Sequence, residues 1–203
     1  MWSFDNQSNS SLHGLIAQLS KIPGLGGRSA KRMVYHLLSQ QDQSLNHLIE
    51  KLSYIRDHAK HCTACHTICF SELCEICTSP HRDNTILCLV EKPQNIDAIE
   101  KSGAYRGLYH VTGGVLSAFN GITPDDLHIN SLKKRLTDLP IQEIIFALPA
   151  TQDGRTTLYY ITDMLGHIDV KMTLPAQGMP LGSDLEYLDQ GTLMTAFHAR
   201  KSI

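Results

Sequence analysis

Apolar residues along this chain change their spacing near residue 86. Before it, Leu12, Leu15, Ile16 and Leu19 recur three and four positions apart, the period of a helix with one apolar face. That helix is expected to stop near Lys21, because Ile22 precedes Pro23 and is pushed out of the α region. Pro23-Gly24-Leu25-Gly26-Gly27 reads as a tight turn. A second helix starts near Arg28 or Ser29, with Met33, Val34, Leu37 and Leu38 on its inner face. A third, over 44–60, places Leu45, Leu48, Ile49, Leu52 and Ile55 inward. Residues 1–10, rich in Ser, Asn and Gln, read as a loose tail.

Beyond the change, Ile86-Leu87-Cys88-Leu89-Val90 is a continuous apolar run, which suits a strand buried on both faces of a parallel sheet. Cys88 reads as a buried free thiol. Further strands are predicted over 108–111, 143–147 and 170–173. They alternate with helices over 93–102, 130–138 and 154–165, and Pro93 suits a first helical turn. Strands alternating with helices imply a parallel α/β domain. The 113–127 stretch is a long loop, a length that points to a functional or interface role.

Between the two regimes lies Cys62-Thr63-Ala64-Cys65, followed eight residues on by Cys74-Glu75-Ile76-Cys77. Each C-x-x-C turn puts two sulfurs on one side of a tight loop, and two facing loops supply the tetrahedron that zinc prefers. Cys69, His61 and His66 are competing ligands, ranked lower because only the paired cysteines form two matching turns. Two disulfides or a redox C-x-x-C are the alternatives, and the lack of a secretory signal argues against disulfides. A four-cysteine site leaves no open position for catalysis, so its role is structural, and the metal supplies folding energy to a segment with little apolar surface. Residues 79–84 form a linker turn.

Composition adds limits. Of 203 residues, 42% are hydrophobic and 19% charged, which is ordinary for a globular protein. No apolar run approaches the roughly 20 residues of a membrane span, and the first residues lack the basic and apolar regions of a signal peptide, so a cytoplasmic protein with no membrane partner is expected. Net charge is -2, but residues 1–60 carry seven Lys/Arg against four Asp/Glu. Lys21, Arg28, Lys31 and Arg32 surround the glycine turn, with no acidic residue from 21 to 32. Gly24 and Gly26 let backbone approach a phosphate, and the start of the second helix offers amides and the positive end of its dipole. The pattern is a helix–hairpin–helix that grips DNA phosphates without reading sequence; the plainer reading is a glycine turn with a solvated basic face. Glu91 ends the first strand of the sheet and Asp153 follows the third. Brought together, they could hold Mg²⁺, or each could cap a helix or pair with a neighbouring base.

Taken in order, these segments resemble the RecR family of bacterial recombination mediators. Leu19-Ser20-Lys21-Ile22-Pro23-Gly24-Leu25-Gly26 with Arg28, Ser29, Ala30 and Arg32 is similar to that family's helix–hairpin–helix. Cys62, Cys65, Cys74 and Cys77 match its zinc finger, and residues 85–180 resemble its Toprim domain, the sheet shared with topoisomerases and bacterial primases. Gly178-Met179-Pro180-Leu181-Gly182 with Leu185, Tyr187, Leu188 and Asp189 is similar to its C-terminal segment. The resemblance implies a multi-module α+β chain: a flexible tail (1–10), a DNA-binding helical region (11–60), a four-cysteine zinc finger (61–79), an α/β Toprim domain with a mostly parallel sheet (85–180) and a C-terminal helical oligomerisation segment (181–203).

It further implies a ring-shaped tetrameric clamp without catalysis of its own, acting in DNA repair with RecO, and in many bacteria RecF, to help RecA load onto single-stranded DNA. Lys21 and Arg28 would line the ring. Glu91 and Asp153 would lie on an acidic Toprim face that docks RecO. Two departures stand out. The Asp-x-Asp pair of the catalytic Toprim branch falls here on Pro149 and Thr151, which cannot act as carboxylate ligands. Asp153 and Arg155 stand where RecR proteins usually carry two glutamates. A Toprim-type Mg²⁺-dependent nuclease and a zinc-stabilised protein adaptor are the alternatives. The missing pair weighs against the first and the basic turn against the second.

Overall fold

A computed structural model of the chain describes residues 6–39, 44–176, 178–180 and 182–200. Residues 1–5 of the expected tail, and residues 181 and 201–203 of the C-terminal segment, lie outside them. The chain divides into two compact units, Met1–Ala59 and Lys60–Ile203.

In the first unit, α1 (Asn6–Leu19), α2 (Gly27–Ser39) and α3 (Ser44–His58) follow one another. α1 begins within the stretch read as a tail, so residues 6–10 are helical. It ends where Pro23 requires, and the chain tightens through Lys21 N–H to Gln18 O and Ile22 N–H to Leu19 O, both 3.1 Å. Gly24 then turns the chain at φ 82°, a conformation that costs glycine no Cβ clash. Ala30 and Val34 of α2 are buried. Much of the rest of the expected inner face is not. Met33 and Leu38 are exposed, and on α3 Ile49, Leu52 and Ile55 stand 53%, 57% and 48% exposed. The helical period correctly reports an apolar stripe, but three short helices supply no layer to cover it.

The second unit opens with a small knuckle: β1 (Lys60–His61) pairs antiparallel with β2 (Ile68–Cys69), and α4 (Glu75–Thr78) follows. Then come β3 (Asp83–Val90), α5 (Pro93–Ser102), β4 (Gly107–Val111), α6 (Ile129–Asp138), β5 (Glu143–Ala147), α7 (Gln152–Leu165) and β6 (Lys171–Thr173). The sheet order is β4-β3-β5-β6 and every pairing is parallel. Strand β3 sits between two neighbours and is apolar on both sides because both faces are covered. Leu87 and Leu89 face Ile129 and Leu132 of α6 and Ile161 and Leu165 of α7; Cys88 and Val90 share the other face with Ile96 of α5, Tyr109 and Val111. Burial pushes the Cys88 thiol up to about 12, as an inert core thiol requires.

Val90 pairs with both Val111 and Ala147, so the carboxyl ends of three strands are level and Glu91 emerges there. The 113–127 loop has its own structure. Ser117 bridges Ile122, a short 3-10 turn spans Pro124–Asp126, and Leu116 and Leu127 anchor it in the core. At the C-terminal end, a 3-10 turn (Leu185–Tyr187) precedes α8 (Gln190–His198), capped by Asp189, which accepts from Thr192 N–H at 3.0 Å.

Candidate metal centre and nucleic-acid interface

The first cysteine turn closes through His66 N–H to Cys62 O at 2.9 Å and Cys62 N–H to Thr67 O at 2.8 Å, with His66 itself at φ 64°. The second is the start of α4, where Thr78 N–H bonds Cys74 O at 3.1 Å. The two turns meet so that the sulfurs of Cys62, Cys65, Cys74 and Cys77 all lie within 4.8 Å of one another. A tetrahedral zinc site with bonds of about 2.3 Å has sulfur–sulfur edges of about 3.8 Å. Across the two turns, Cys65 Sγ and Cys74 Sγ are 3.5 Å apart. The donors therefore fit one four-thiolate ion rather than two separate pairs.

Cys62, Cys65 and Cys74 are buried and Cys77 is half-buried. Thiol hydrogen bonding with Cys65, and the nearby charge of Arg135, hold Cys77 well below the usual thiol range; the same shared proton and burial push Cys65 far up. The competing ligands are placed elsewhere. Cys69 Sγ donates to Ser71 O at 3.0 Å, His61 Nδ1 lies 3.1 Å from His66 O, and His66 Nε2 lies 2.7 Å from Ser131 Oγ.

Sequence reasoning missed how this knuckle is seated on the sheet. Val111 N–H bonds Cys65 O at 2.9 Å, carrying the edge of β4 onto the first turn. His66 stacks on His128 at 4.0 Å and meets His110 edge-on at 5.3 Å. Burial lowers His110 to about 3, and burial with neighbouring cations lowers His66 to about 4, so both rings are neutral near pH 7. Arg135 of α6 is buried and reaches both cysteine turns. No sequence signal marks it, because its partners are 58 and 71 positions away.

The basic hairpin has the surface that a phosphate grip needs. Lys21, Gly24, Gly26, Arg28, Lys31 and Arg32 are all exposed. A Cβ added at Gly24 or Gly26 would meet nothing within 4 Å, so the backbone there is open to approach. Ala30 N–H is the first amide of α2 bonded back to the turn, at 2.9 Å to Gly26 O, and the first turn of α2 carries no acid. Among the described residues, none of the four cations is in an ion pair.

The two carboxylates of the sheet edge are less suited to a cation. Glu91, half-buried, pairs with Lys92 Nζ at 3.1 Å. Asp153 sits half-buried in the first turn of α7. Among the described residues, the cysteines are the one group of three or more His, Cys, Asp or Glu able to hold a metal. The segment after β5 is given over to holding α7: Thr151 Oγ1 caps Gly154 N–H at 3.2 Å, and a Cβ at Gly154 would lie 1.9 Å from Pro149 O. Arg155 points its guanidinium at Gln152 Oε1, 3.3 Å away.

A helical hairpin, a four-cysteine knuckle and a parallel sheet in one chain define a multi-module α+β protein of the Toprim class, and family models match its hairpin, its sheet and its C-terminal segment. Residues 12–55 match the family model described as RecR, helix-hairpin-helix, residues 85–174 match the Toprim domain, and residues 178–201 match RecR, C-terminal. The chain is 43% identical to Recombination protein RecR of Rhizobium rhizogenes over 93% of this chain and 94% of that protein. It is 43% identical to that of a Ruegeria species over 97% and 98%, and 38% identical to that of Frankia alni over 93% and 95%. The chain belongs to the RecR family of recombination proteins. No helix among the described residues is long and apolar enough to cross a membrane.

Proposed function

We propose that this protein is a cytoplasmic, non-catalytic recombination mediator that grips DNA through the α1–α2 hairpin. Acting with RecO, and with RecF where present, it would promote RecA loading on single-stranded DNA. The observation that carries the DNA contact is the open glycine turn at the start of α2, flanked by Lys21, Arg28, Lys31 and Arg32 with no acid between 21 and 32. Amides and cations together bind phosphate in a way that is independent of base identity. Cys62, Cys65, Cys74 and Cys77 would hold a structural zinc ion, supported by their fit to one tetrahedron. Closing both turns on one ion is the whole of the chemistry that it supplies. Assembly into a ring-like tetramer is supported by the uncovered apolar residues of α3 and of the C-terminal segment, where Tyr187 and Phe197 stand 82% and 64% exposed. The Toprim edge at Glu91 and Asp153 would receive RecO. Nuclease chemistry through Mg²⁺ is disfavoured, since Pro149 and Thr151 serve α7 and Glu91 already has a cation.

The test is DNA affinity against salt for wild type and the Lys21→Ala/Arg28→Ala double variant. Wild type should bind with a steep salt slope. The double variant should bind far more weakly, its slope reduced by about 2, with fold and assembly mass intact. Equal affinity of the two proteins at moderate salt would overturn the assignment.

A further inference from the structure

We propose that Arg135 is a positioning residue of the cysteine metal centre, resting on the reading that the four cysteines hold zinc. Its guanidinium joins three segments that are remote in sequence. Nη1 donates to Ala64 O, inside the first C-x-x-C, at 3.1 Å, and also to Tyr109 O of β4. Nη2 donates to Cys77 Sγ, in the second C-x-x-C, at 3.4 Å. The side chain thus holds one cysteine turn against the other and fixes both to the sheet.

Charge explains why an arginine is there. Arg135 is 7% exposed, and its Nε is buried without a partner. A buried cation is costly unless an anion meets it. Among the described residues no carboxylate forms an ion pair with Arg135. Of the three atoms it does contact, two are neutral carbonyls and the third is a sulfur. Four thiolates around a divalent ion leave a net charge of -2, so the metallated cluster is the counter-charge that this guanidinium lacks elsewhere. A lysine would preserve the charge but not the planar fork that reaches carbonyl and sulfur together. Residues that orient metal ligands in this way typically change metal affinity about 10–100-fold when altered.

The experiment uses full-length wild type, Arg135→Lys and Arg135→Met. Zinc release to a chromogenic chelator is followed on the zinc proteins, and the thiolate-to-cobalt charge-transfer band on cobalt-substituted ones. Arg135→Met should release zinc about tenfold faster or more, with Arg135→Lys between it and wild type. The cobalt band should move in Arg135→Lys while the far-ultraviolet circular dichroism does not, a signature that a merely structural role would not produce. If Arg135→Met does not fold, the lysine variant decides alone. Release within about twofold of wild type, with an unmoved cobalt band, overturns the proposal while leaving the zinc site standing. Wild type that takes up neither zinc nor cobalt overturns the zinc reading, and this proposal with it.

Discussion

The two units of this chain solve the burial problem differently. The sheet unit covers β3 on both faces, and Leu87, Leu89, Ile144, Ile161 and Leu165 have no exposed surface at all. The helical unit buries Ala30 and Val34, while Ile49, Leu52 and Ile55 remain about half exposed. A two-sided sheet completes its own core within one copy of the chain. Three short helices leave the apolar stripe of α3 exposed, a surface of the kind that a partner covers. The comparison teaches where stability and where assembly should reside.

The largest effect is expected in the sheet core. Leu89→Ala removes a fully buried side chain from a packed layer and should cost about 2–5 kcal/mol in denaturant unfolding. A cost below about 1 kcal/mol would show that the core collapses around the gap. Acid should act on the same unit. His110 is buried, neutral and held at about 3, below the ordinary 6.5 of an unfolded chain. Between those values the unfolded state binds more protons, so this contribution is present above pH 6.5 and is lost progressively as pH falls toward 3. A His110→Phe variant should show a flatter decline of melting temperature from pH 7 to 5 than wild type. Parallel curves would remove His110 from the account. The smallest change in stability belongs to α3. Leu52→Ser should alter unfolding free energy by within about 0.5 kcal/mol, yet lower the mass of the assembly measured by light scattering. An unchanged mass would mean that this stripe is not what holds copies together.

The sheet unit was far easier to read from sequence than the helical one, for a physical reason. The pattern predicts β5 over 143–147 and α5 over 93–102, and both are found at those bounds, because a continuous apolar run and a proline at a helix start are local signals. α1 reaches back to Asn6, into polar residues that carry no apolar period to betray a helix. β1 and β2 have two residues each, too few for any alternation to register. On α3 the period was visible but its meaning was not, since a stripe looks the same whether another element or a second molecule covers it. The cysteine pairs were legible as a cluster because C-x-x-C spacing sets each turn locally.

Local chemistry therefore determined the modules: the glycine–proline turn with its cations, the paired cysteines, and the alternation of apolar strand and amphipathic helix. Each depends on neighbours a few residues apart, within the reach of backbone sterics and side-chain period. Tertiary structure alone decided that His66 meets Ser131, that Val111 N–H meets Cys65 O, and that Arg135 spans both cysteine turns and β4. Those contacts join residues tens of positions apart, and only the packing of α6 and the knuckle against one sheet brings them within hydrogen-bond distance.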